Sequence, residues 1–132
     1  MSLSPLVLVV PSLGEVRVAL RLRAMPTDER YEELELTVET GSTYSWVPRA
    51  VLERLGVEPT RRGRFRTIEG RVVERDIGHV FVEYGGEVAP TTVVFAEPGD
   101  ACVMGLHALE ALGLEVDPTT GQVRKSEALM AF

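Results

Sequence analysis

The chain has 132 residues, 45% of them apolar, 6% aromatic and a net charge of −6. That is the length of one domain, read as 1–132, with a core resting on Val, Leu, Ile and Ala, and its acidity argues against nucleic acid as a partner. Thirteen Arg against one Lys, sixteen Glu against four Asp, one Gln and no Asn fit a GC-rich genome or a warm-living source and say nothing of function.

Leu6–Val10 is too short to span a membrane, and neither a basic leader nor a small-residue cleavage site accompanies it. Val16, Val18, Leu20 and Leu22 alternate with Arg17, Arg21 and Arg23, a half-buried strand. The polar connection Met25–Arg30 follows. Leu34, Leu36 and Val38 alternate with Glu35, Thr37 and Glu39, so the two strands form a hairpin that delivers Glu39 to a loop. Pro48 suits the first turn of a helix whose apolar face is Val51, Leu52 and Leu55, capped by Gly56.

Arg64–Glu69, Gly70 and Arg71–Asp76 predict a hairpin with Gly near its tip. Val80–Tyr84, the Gly85-Gly86 turn, Val88 and Thr92–Phe95 predict another. Ala101–Met104 reads as a short strand closed by Gly105. Leu106, Leu109 and Leu112, followed by Gly113, predict a second short helix. Val116 and Val123 flank a last turn at Asp117–Gly121. An internal echo links Leu52–Glu58 with Leu109–Glu115, each after a strand and a Gly-containing loop, which suggests a pseudo-twofold lobe.

Glu39-Thr40-Gly41-Ser42 resembles the Asp-Thr-Gly-Ser/Ala signature of aspartic proteases. Pro48 and its helix, the hairpin at Gly70 and Cys102-Val103-Met104-Gly105 before the second helix follow in the matching order. From about residue 16 to 123 the chain therefore resembles the retropepsins, the single-lobe retroviral-type aspartic proteases, particularly their bacterial relatives. The resemblance implies an all-β fold, a small closed β-barrel with one or two short helices. It implies peptide hydrolysis by two carboxylates that share one proton, because like charges about 3 Å apart cannot both ionise. One acts as base toward water and the other as acid toward the scissile carbonyl, with no metal and no cofactor.

The chain offers one such loop, and Met104-Gly105 carries no acid, so a homodimer has to supply Glu39 twice. By resemblance Glu39, Thr40, Gly41 and Ser42 form the catalytic loop. Thr40 braces it across the twofold axis, Gly41 allows close approach, and the Ser42 hydroxyl reaches the outer carboxylate oxygen. Ile68, Glu69 and Gly70 form a flap over a peptide or unfolded-protein substrate. No nucleic-acid or membrane partner is implied, and the lone Cys102 makes the cytoplasm the expected place of work.

The departure is Glu at position 39, one methylene longer than Asp. A shift of about 1 Å in catalytic groups costs roughly a hundredfold in rate. Three readings stand: a peptidase adapted to Glu, a non-catalytic dimeric peptide-binding module on the same fold, or a normal peptidase with an introduced Glu. Trp46 reads as packing. His107 and Glu110 share a solvated helix face rather than a metal site. Arg61, Arg62, Arg64 and Arg66 read as a solvated strand paired with Glu.

Overall fold

The computed structural model describes residues 15–67 and 69–126. Leu6–Val10, Ile68 and the tail after Ser126 lie outside the described residues. In chain order the elements are β1 (Arg17–Arg23), β2 (Glu32–Val38), β3 (Ser45–Pro48), α1 (Arg49–Leu55), β4 (Arg61–Arg66), β5 (Val72–Tyr84), β6 (Glu87–Ala96), β7 (Val103–Met104), α2 (Leu106–Ala111), β8 (Leu114–Asp117) and β9 (Gln122–Lys125). The fold is mostly β with two short helices, as the alternating pattern predicts.

The strands of the main sheet run in the order β1-β2-β7-β3-β6-β5-β4, and β1 also pairs with β5 through Arg21↔Glu83 to Arg23↔Phe81. Six strands thus return on themselves as a ring, and β4 hangs outside it as an edge. The period-two pattern of β1 places Val18, Leu20 and Leu22 inside the ring, where they meet Leu36, Val80, Val82, Val93, Phe95 and Met104. Burial of each such side chain stabilises by about 1.5–3 kcal/mol relative to exposure. The arginines between them face outward, Arg17 to Glu35 and Arg21 to Glu33.

Two local expectations are revised, and one strand was not foreseen. Pro48 is not inside the helix: it ends β3 in an extended conformation (φ −53°, ψ 134°) and caps α1 from outside. Ser45–Pro48, too short to show alternation, forms a strand parallel to β6. β5 is one strand of 13 residues, where the sequence suggested a hairpin arm and a separate strand. Asp76 and Gly78 interrupt its apolar pattern, and both are accommodated. Asp76 binds Arg49 and Arg62, while a Cβ at Gly78 would stand 3.0 Å from Phe95 and 3.1 Å from the Glu58 carbonyl.

The helix ends follow their glycines. Gly56 adopts φ 79° and donates to the carbonyls of Leu52 and Glu53, and Gly113 adopts φ 71° after α2. The β5–β6 turn uses Gly85 (φ 59°) and Gly86 (φ 86°), both in the left-handed region that a tight two-residue hairpin demands. The echo between the two helical segments has a counterpart in the pairing. β2 leads through a loop to β3 and α1, and β6 leads through a loop to β7 and α2. β3 pairs parallel with β6 while β7 pairs parallel with β2, and β3 crosses β7 antiparallel at Trp46↔Val103. Each half lends its second strand to the other.

Candidate active site

Glu39 leaves β2 at the point where the chain must turn. Its N–H donates to the Met104 carbonyl at 2.9 Å, and its own carbonyl accepts the Ser42 N–H at 3.0 Å. The loop is then fastened to the start of α2. The Ser42 carbonyl accepts the Leu106 N–H at 2.8 Å, and the Thr43 carbonyl accepts the His107 N–H at 3.1 Å. The hydroxyl of Ser45, only 3% exposed, accepts the Gly105 N–H at 2.9 Å. These bonds consume donors that a helix start leaves unpaired. They also bring two backbones so close that a Cβ on Gly105 would lie 2.4 Å from the Tyr44 carbonyl oxygen and 2.7 Å from that of Ser42.

Within this frame the Glu39 side chain is half-buried and Thr40 is exposed. The Gly41 N–H reaches Glu39 Oε1 at 3.3 Å, so the carboxylate turns back toward its own loop. Ser42 is 1% exposed. Its hydroxyl donates to the Tyr44 carbonyl at 2.7 Å, so in the single chain its one proton is engaged there and not at the carboxylate. Glu39, Thr40, Gly41 and Ser42 therefore stand together in one hydrogen-bonded loop.

Glu69 and Gly70 lie elsewhere, at the end of the β4–β5 hairpin. The turn is closed by Gly70 N–H to Thr67 O at 2.9 Å and Thr67 N–H to Arg71 O at 2.8 Å. Gly70 has φ +90° and open space around it. The Glu69 carboxyl is held below its ordinary range by its own backbone N–H and then by the Thr67 hydroxyl. Ile68, the third residue expected in the flap, lies outside the described residues.

The distal half of the hairpin touches the strand that leaves the Glu39 loop through Phe65, which pairs with Val73. Phe65, 1% exposed, packs edge-on to Trp46 (centroids 5.2 Å apart, 69°) and to Tyr44 (6.5 Å, 76°). Trp46 is thus a packing residue. Arg75 forms a two-pronged pair with Asp100, at 2.7 and 2.9 Å, and Asp100 also accepts the Glu97 N–H at 2.8 Å. Arg49 bridges Asp76 at 2.6 Å and Glu97 at 2.9 Å. The Arg75 guanidinium holds the Asp100 carboxyl below the usual carboxylate range despite burial, and Arg49 does the same for Asp76. These anchors were not foreseen, because partners 25 and 27 residues apart leave no local pattern.

Other groups have quieter roles. His107 and Glu110 are both exposed on α2, and the His107 ring lies 5.5 Å from that of Tyr44. Burial pushes the Cys102 thiol up, which disfavours the reactive thiolate. A surface cavity of about 480 Å³ lies between α1 and the β6–β7 connection, lined by Arg49, Glu53, Glu97, Asp100 and Cys102 among others, and no residue of the Glu39 loop lines it. Among the described residues no three His, Cys, Asp or Glu are grouped to hold a metal ion, and no helix is long and apolar enough to cross a membrane.

Residues 28–114 match the aspartyl protease family, about two thirds of the chain. The chain belongs to that family. Among solved structures it is similar to the solution structure of the Simian Foamy Virus (mac) protease, at 20% identity and a TM-score of 0.43, over 69% of this chain and 90% of that one. No curated protein matches it.

Proposed function

We propose that the chain is an aspartic-type endopeptidase that works as a twofold homodimer. Glu39 of each protomer supplies one carboxylate of a dyad, which activates water against a peptide bond. The observation that carries this reading is an asymmetry within the reciprocal fold. The Glu39 loop and the Met104-Gly105 segment are bonded to one another, yet only the first bears an acid. A second copy completes the dyad. Facing carboxylates titrate as one unit: one stays protonated and polarises the carbonyl, while the other takes the proton of the attacking water. Exposed Thr40 braces the two loops across the axis. The hairpin around Ile68, Glu69 and Gly70 is the flap, and an extended peptide lies beneath it with strand-like hydrogen bonds. The unpaired Cys102 supports work in a reducing cytoplasm.

A second reading is a non-catalytic dimeric peptide-binding module. The hydrogen bond from Gly41 to Glu39 Oε1 favours it, since the longer side chain folds back on its own loop. Cleavage of an unstructured protein at mildly acidic pH separates the two. In the first reading Glu39→Gln abolishes the parent activity, by at least about a hundredfold, because the amide is neither base nor acid. Glu39→Asp raises the rate if the extra methylene misplaces the dyad, and lowers it if the dimer axis is adapted to Glu. In the second, parent and Glu39→Gln are equally inert and bind the same peptides. Parent activity that survives Glu39→Gln refutes both.

A further inference from the structure

The β4–β5 hairpin is the cationic part of an anionic protein. Residues 61–76 hold six arginines and three acids, a net +3, so the remainder of the chain stands at −9. The register shows where that charge is cancelled. Arg62 faces Asp76 and bonds it at 3.1 Å, and Arg64 faces Glu74. Arg75 is taken by Asp100. The distal rung differs: Arg66 faces Val72, which offers no carboxylate and is 45% exposed. Arg66 reaches the Gly70 carbonyl at 3.5 Å, too long to hold it firmly. Arg71 is exposed too, but it pairs with Thr67 and so projects from the opposite face of the ribbon. Glu69, the one acid between residues 66 and 72, is bound chiefly by its own backbone N–H and the Thr67 hydroxyl, with Arg71 the weakest contributor.

We propose that the hairpin tip selects extended peptides that carry an acidic side chain next to an apolar one. Arg66 takes the carboxylate, and Val72, directly opposite it on the same face of the ribbon, takes the apolar neighbour. A guanidinium fork suits a carboxylate, and an exposed cationic tip on an anionic body draws acidic segments to that end of the molecule. The proposal rests on the peptide-binding reading above and names its substrate class. Nucleic acid is the poorer occupant, because residues 66–72 contain no aromatic side chain on which a base could stack.

The test is fluorescence anisotropy with the full chain and labelled unstructured peptides of about ten residues, equal in apolar content and bearing Glu, Gln or Lys. The Glu peptide binds the parent about tenfold more tightly than the Lys peptide at low salt, and the gap closes as salt rises from about 0.05 to 0.5 M. Arg66→Glu reverses the order, and Val72→Ala weakens the Glu peptide while keeping the order. Equal affinities, an order unchanged in Arg66→Glu, or no binding of the Glu peptide overturns the proposal. So does oligothymidine binding as tightly as the Glu peptide, which assigns the tip to nucleic acid. Binding is read without turnover, so the two conclusions fail separately. Charge selection without cleavage sinks the dyad alone, and cleavage without charge selection sinks the tip proposal alone.

Discussion

Gly105 is the residue on which the Glu39 loop turns. Its backbone conformation is ordinary, but its side is filled by the Tyr44 and Ser42 carbonyls, and backbone atoms cannot swing away as a side-chain end can. Gly105→Ala is expected to cost more than about 3 kcal/mol, read as a lower urea midpoint, and to loosen the amide protection of Leu106 and His107. A variant as stable as the parent would show that the loop relaxes freely. At this scale much was legible. Glu39 to Ser42 announced a loop because a tight turn needs short polar residues and glycine. Gly105 stood out because it broke an apolar run. The Ser45 hydroxyl was invisible, since its partner lies 60 residues away and any small polar residue reads alike in a short strand. The aromatic group of Tyr44, Trp46 and Phe65 was hidden for the same reason.

The hairpin of β4 and β5 is pinned as far as its fifth rung and free beyond it. Ile77, the Arg75–Asp100 pair and Phe65 hold successive rungs from the base outward, whereas a side chain at Gly70 would meet open space. Amide hydrogens from Arg66 to Arg71 are expected to exchange faster than those of Val80–Tyr84 and to slow when a peptide binds; uniform protection would make the hairpin merely structural. Gly70→Pro cannot adopt φ +90° and removes the N–H that Thr67 accepts, so it impairs peptide binding while the core stays folded.

The anchors also set a pH dependence. Asp76 and Asp100 both lie below their ordinary values in the folded chain. Their contribution is therefore complete above the unfolded aspartate value of about 3.9 and is lost as pH falls through the folded values. Asp100→Asn should flatten the acid limb of a denaturation series and cost roughly 2 kcal/mol at neutral pH. An acid limb identical to the parent's would assign that dependence to other groups. The continuity of β5 escaped sequence reading because Asp76 and Gly78 are poor strand residues until Arg49, Arg62 and Phe95 are known to be beside them.

For the whole molecule, the dyad proposed above requires a second copy. Sedimentation at about 10 μM should give a dimer that dissociates on dilution, and Thr40→Ala should shift it toward monomer while leaving the monomer's circular dichroism unchanged. A monomer at every accessible concentration would remove the two-carboxylate mechanism. The ring of strands was only partly readable. Alternation marked the strands that have one wet face, but β3 and β7 are short and lie amid the sheet, where no alternation survives. Their order follows from the exchange of strands between halves, which the repeated Leu-Gly helix ends hinted at without specifying.

That exchange has a consequence for how the chain is made. Ser45 waits for Val93, and Thr37, already paired with Arg17, waits for Val103 on its other side before the finished sheet can close. Contacts so far apart in sequence are slow to close. The carbonyls of Ser42 and Thr43 find their donors only when Leu106 and His107 have left the ribosome. The Glu39 loop is written early and set late, so a nascent or truncated chain that stops before Gly105 has the acid without the geometry.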